Sequence, residues 1–152
     1  MKEPAREHNT TPGSLPKAVA VGVFIDFAGS LLVAFTLSLI YTLVLTARGY
    51  SQAEIERTFS ALGPWSALGI VIMLLSLIVS AYAGYQCARV ANRATYLAPG
   101  IVAMISCAAG AALSAGIYSQ REILFLSALS VIAVLGGASV HIRKLQHGGP
   151  PS

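Results

Sequence analysis

The chain has 152 residues, of which 55% are hydrophobic and only 11% charged; soluble domains carry roughly 25% charged residues, so an ordinary soluble domain is excluded. Its mean hydropathy is +0.71, and the charges are missing in long blocks, as in helices that cross a bilayer. The formal net charge of +4 does not point to nucleic acid, because the cations stand at the ends of apolar blocks with no cluster and no interleaved aromatic platform.

Residues 1–16 are polar and read as a short flexible tail. The first apolar block, residues 18–47, is interrupted only by Asp26. It exceeds the roughly 7–15-residue core of a signal peptide, and no small-residue cleavage motif closely follows such a core. A retained transmembrane helix over 18–46 is therefore expected. In the long connection that follows, Ser51-Gln52-Ala53-Glu54 fits the capping-box pattern. Ile55, Phe59 and Leu62 then recur at helical steps while Glu56 and Arg57 fall off their stripe. This predicts a short amphipathic helix on the membrane surface, with Trp65 anchoring the start of the next span.

Three further spans are expected over 65–87, 97–118 and 123–142, each near the roughly 20 residues that cross about 30 Å of hydrocarbon. The connection 88–96 carries Arg89, Asn92 and Arg93. The tight link Ser119-Gln120-Arg121-Glu122 forces the last two spans into an antiparallel hairpin. Residues 17–143 thus form one all-α, four-helix antiparallel transmembrane domain, and residues 144–152 read as a disordered tail. Lys2, Arg6, Lys17, Arg89, Arg93, Arg143 and Lys144 would face one side, and Arg48, Arg57 and Arg121 the other. That bias places both termini in the cytoplasm. Tyr41, Tyr50, Trp65 and Tyr118 then sit near the outer surface, and Tyr82, Tyr85 and Tyr96 near the inner one.

Apolar helices gain little from pressing together in lipid, so close packing needs small residues at the contacts. Ser76, Ser80, Gly84 and Ala88 recur every fourth residue in the second span, and Ser106, Gly110 and Ser114 do so in the third, beside Cys107, Ala111 and Ala115. Ala133 and Gly137 serve the fourth, and Gly22 and Gly29 flank Asp26 in the first. These stripes read as helix-packing seams, within one bundle or between copies; the competing reading is a polar path lined by serines. Cys87 and Cys107 fall at different depths and in no CxxC or Cys/His pattern, so both read as small packing residues rather than a disulfide or metal pair.

Asp26 is the one acid inside an apolar block. If the helix enters hydrocarbon near Lys17, Asp26 lies about 13 Å deeper, where a charge is costly and by default functional. Neighbours expected at that depth are Tyr82, Tyr85, Gln86 and Arg89, a candidate intramembrane polar cluster. Alternatively, residues 27–47 span alone and Asp26 rests at the inner interface, near the positive end of the helix dipole. His8, His141 and His147 read as solvated or interfacial. There is no HExxH, no Gly-rich phosphate loop and no nucleophile with a matching base; no catalysis, metal or cofactor is expected.

The stretch Ser80-Ala81-Tyr82-Ala83-Gly84-Tyr85-Gln86-Cys87-Ala88-Arg89-Val90-Ala91, with Pro99-Gly100 after it, resembles a feature of small four-helix bacterial membrane proteins. Their second helix ends in a Gly-Tyr or Gly-Gly run followed by Ala-Arg. The resemblance implies a bacterial inner-membrane protein of a family with no assigned activity, and carries over no functional residue. Small multidrug transporters share the layout of four helices with an acid in the first, but theirs is Glu where this chain has Asp26. The sequence thus reads as a structural or accessory membrane component, partnered by lipid and by further copies or a larger complex. The alternative is a small oligomeric transporter or channel subunit that uses Asp26 as a proton or cation coupling site.

Overall fold

The computed structural model describes residues 13–92, 95–114 and 116–147. The expected tail residues 1–12 and 148–152, together with Arg93 and Ala115, lie outside the described residues. Five helices follow in order: α1 Leu15–Ala47, α2 Gln52–Ala61, α3 Ala67–Ala91, α4 Leu97–Ser114 and α5 Gln120–His147. All but α2 are long and apolar enough to cross a membrane.

Local chemistry sets the boundaries. α1 starts inside the expected tail because Pro16 occupies its first turn, where a missing N–H costs nothing. It ends ahead of Gly49, whose φ of +85° suits glycine. At the start of α2 the Ser51 N–H and hydroxyl donate to Glu54 Oε2 at 2.8 and 2.7 Å. The Ser66 hydroxyl accepts the Gly69 N–H at 3.1 Å and caps α3. α3 runs past the expected end at 87 and stops where Asn92 turns left-handed, φ 46°. α4 stops at Ser114, short of the expected 118, ahead of Gly116 at φ +84°. α5 starts earlier than expected and continues to His147, because Ser119 repeats the chemistry of Ser51: its N–H and hydroxyl donate to Glu122 Oε2 at 2.9 and 2.8 Å.

α3 packs against both α1 and α5, α4 packs against α5 and α1, and α2 folds back on α1. The Tyr41 and Phe59 rings meet edge to face with centroids 5.6 Å apart, so the apolar stripe of α2 faces the end of α1. The α3–α5 contact is the tightest. A Cβ at Gly84 would collide with the Val134 carbonyl, and one at Gly137 with the Ala81 carbonyl. Only residues without a side chain let two backbones approach so closely.

Burial is unevenly distributed along the helices. The buried residues are Ala18, Gly22 and Asp26 on α1, Ser80 to Ala91 positions on the inner stripe of α3, Ala98 to Ala103 positions on α4, and Val134, Ala138 and Ile142 on α5. These run from mid-height to one end of the molecule, the end where α1 and α4 start and α3 and α5 finish. Leu45, beside the turn into α2, is the exception. This closed end is filled by alanines and small β-branched residues, which pack densely without long side chains.

Candidate functional site

Away from the closed end the helices separate and leave a partly open cavity of about 400 Å³. α1 lines it from Asp26 to Ala34, α3 from Gly69 to Ser80, α4 at Ser106, Gly110 and Leu113, and α5 at Leu126, Leu129 and Ser130. At its far end it reaches Pro64 and Tyr118. Asp26 and Ser80 belong both to the buried end and to the cavity wall. They are its floor.

The sequence of α1 brings Asp26 there. Ala18, Gly22 and Asp26 share one face at four-residue spacing. Gly22 is so close to Val102 and Cys87 that a Cβ would crowd both, and Gly29 abuts Val79. The opposite face carries Phe24, Leu32 and Phe35, all about two-thirds exposed or more at 72%, 66% and 69%. α1 therefore presses its small residues inward, and the one acid among them goes with them.

Asp26 is only 6% exposed. Its Oδ1 accepts the Ser80 hydroxyl at 2.6 Å, a distance short enough for a hydroxyl bonded to a carboxyl group. Ser80 lies thirteen residues beyond Ala67 and eleven before Ala91, at the middle of α3. The acid is therefore held at mid-height of the bundle. Ser30, Ser76, Ser106 and Ser130 also line the cavity and give its otherwise apolar wall a set of hydroxyls.

The proposed cluster around Asp26 is divided. Tyr82, Tyr85, Gln86 and Arg89 have the right chain neighbourhood but the wrong azimuth. At about 100° per residue, all four point away from the side of α3 that carries Ser80. Gln86 Nε2 donates to Tyr82 Oη on the outer face, and Tyr82 is 52% exposed. The Tyr85 ring meets His141 edge to face, centroids 5.6 Å apart. Arg89 is exposed near the end of α3. The partner that the sequence does carry is Ser80, visible there only as a packing position.

The small-residue stripes also divide. Gly84 makes the close contact expected of it. Ser76, Ser106 and Gly110 line the cavity instead, and a Cβ at Gly110 would meet nothing within 4 Å. Ser114 is half-buried at the end of α4. Cys87 is buried in the closed end, and the Cys107 thiol lies 3.5 Å from the Ser127 carbonyl across α4 and α5.

At the far end, the Trp65 Nε1–H donates to Glu122 Oε1 at 3.1 Å and its ring packs on Phe125. This ties the start of α3 to the start of α5. The sequence showed Trp65 only as an interfacial anchor; the Ser119-x-x-Glu122 capping box that presents its partner was readable by the same pattern as Ser51-x-x-Glu54.

No protein family, no curated protein and no solved structure matches the chain. The likeness of the stretch 80–91 to small four-helix bacterial membrane proteins rests on that motif alone.

Proposed function

We propose that the chain is a multi-pass protein of a bacterial inner membrane, its four long helices forming an antiparallel bundle, and that it binds a cation at Asp26 as part of a small transporter or channel subunit rather than an enzyme. One observation carries this: the buried acid at mid-height is the floor of a cavity, not a group sealed between helices. An acid at such depth is costly in lipid, and a serine or asparagine could bond Ser80 as well. Retaining a carboxyl group there has a purpose if a cation meets it.

The membrane setting is supported by the outward Phe24, Leu32 and Phe35, which suit acyl chains. The antiparallel course is supported by the contacts: Gly84 with Val134, Gly137 with Ala81, Gly22 with Cys87, Gly29 with Val79. Lys17, Arg89, Arg143 and Lys144 fall at the closed end and Arg48, Arg57 and Arg121 at the other. The positive bias makes the closed end cytoplasmic, both termini with it, and the cavity faces outward. Assembly with further copies would proceed through exposed apolar faces, with lipid as the first partner.

The second reading, a structural or accessory component, is favoured by the Ser80–Asp26 bond, which joins α1 to α3. Proteoliposomes separate the two. Currents driven by gradients of sodium, potassium and organic ammonium ions are compared for wild type and Asp26→Asn. A cation-dependent current lost in Asp26→Asn at unchanged melting temperature supports cation binding. Equal behaviour toward every cation, with a lowered melting temperature in the variant, returns the protein to the structural reading.

A further inference from the structure

Resting on the cation reading of Asp26, we infer that the cavity takes a small organic amine, a primary or secondary ammonium group with an apolar body, rather than a metal ion or a quaternary ammonium. Size is the first argument. A cavity of about 400 Å³ falls in the range of small-molecule pockets, about 300–1,000 Å³. It is far larger than a dehydrated inorganic cation needs.

The lining is the second argument. Hard cations seek six or more oxygens converging at one point. Here one carboxyl group forms the floor and the serine hydroxyls are dispersed over different helices, between residues such as Leu77, Leu113 and Leu129. An apolar wall with few convergent polar groups is built to hold an apolar body and orient one polar end.

The third argument concerns the polar end. Quaternary ammonium ions are held by cages of aromatic rings, and the aromatic side chains of this wall are Phe27 and Tyr118, the latter at the far end. Asp26 instead offers a hydrogen-bond acceptor. Its Oδ1 is engaged by Ser80, and the residue lines the cavity. The proposed contact of the ligand is with the other carboxyl oxygen, Oδ2. An ammonium carrying N–H groups supplies donors for it and for serine oxygens nearby; a trimethylammonium supplies none.

The test uses the full chain in lipid nanodiscs with three probes: 2-phenylethylammonium, its N,N,N-trimethyl counterpart and sodium. Infrared difference spectra of wild type against Asp26→Asn follow the Asp26 carboxyl bands, and melting temperature is read in parallel. The expected result is a saturable shift of the Asp26 bands by 2-phenylethylammonium, at least about tenfold weaker for the trimethyl ion, as for loss of one charge-assisted hydrogen bond. Gly110→Leu, which fills the cavity without touching Asp26, should remove the response without lowering the melting temperature. If sodium or the trimethyl ion perturbs Asp26 as strongly as the amine, the ligand class is overturned while the cation site stands. If no probe perturbs Asp26, both are overturned.

Discussion

Gly84 and Gly110 are the same residue type at comparable helical positions, and their surroundings give substitutions at them opposite signs. An alanine methyl at 84 would run into the Val134 carbonyl and must push α3 and α5 apart. Gly84→Ala is expected to cost about 1–3 kcal/mol, the usual range for overpacking a dense core. At 110 the methyl enters open space, and replacing a helical glycine then stabilises by about 0.5–1 kcal/mol. Reversible unfolding of both variants in mixed micelles checks the pair; equal shifts would remove the claim that the closed end is set by glycine contacts. Sequence alone put Gly84 and Gly110 in equivalent stripes. Spacing finds a small-residue face but does not say whether another backbone or a void lies opposite, because that depends on how far along the helices the bundle stays closed. The same limit hid Ser80 as the partner of Asp26. Depth along the helix had pointed to Tyr82, Tyr85, Gln86 and Arg89, whereas the azimuth of the Ser76-Ser80-Gly84 stripe, already legible, selected Ser80.

At the scale of single elements, capping chemistry was the more readable part of the chain, and it makes α2 a pH-sensitive helix. The Ser51 N–H and hydroxyl hold the Glu54 carboxyl below its ordinary value of 4.5, the backbone bond first. A group whose pKa is lower folded than unfolded contributes stability above the unfolded value and loses it as pH falls through the folded one. Amide exchange across α2 should therefore be unchanged from neutral pH down to about the usual carboxylate value and speed up below it, beyond the intrinsic pH dependence. Glu54→Gln keeps a capping side chain without a titrating proton, so its protection should be flat across that range. A parallel acid transition in the variant would assign the effect elsewhere. The helix ends that sequence reading misplaced have the same kind of local cause. α4 stops short because Gly116 takes a positive φ, and α5 starts early because Ser119 and Glu122 form a second capping box. Periodicity of apolar residues continues across both points and hides them.

The molecule as a whole is a bundle sealed at one end and parted at the other, and that asymmetry has a sidedness that can be measured. Buried positions such as Cys87, Val102 and Ala138 belong to the sealed end, and Ser76 lies on the cavity wall toward the α2 end. If the sealed end faces the cytoplasm, as proposed from the charge bias, water should reach Ser76 from the outer face only. In a chain carrying Cys87→Ala and Cys107→Ala, a cysteine at Ser76 is expected to react with a membrane-impermeant maleimide added outside intact cells. A cysteine at Ala138 should resist the reagent from either face, since its surroundings have no space for it. Bound ligand gives the experiment its second arm: 2-phenylethylammonium in the cavity should slow modification at 76 and leave a cysteine at Arg57, exposed on α2, reacting as before. Labelling of the cysteine at 76 only from the cytoplasmic face would reverse the orientation, and labelling at 138 from either side would mean that the closed end opens. The four long apolar helices and their order follow from hydropathy, whereas the cavity depends on where the alanine- and glycine-rich faces give way to larger side chains. A seal below Asp26 and a gap above it make that acid approachable from one end of the bundle, the arrangement that the proposed cation site needs.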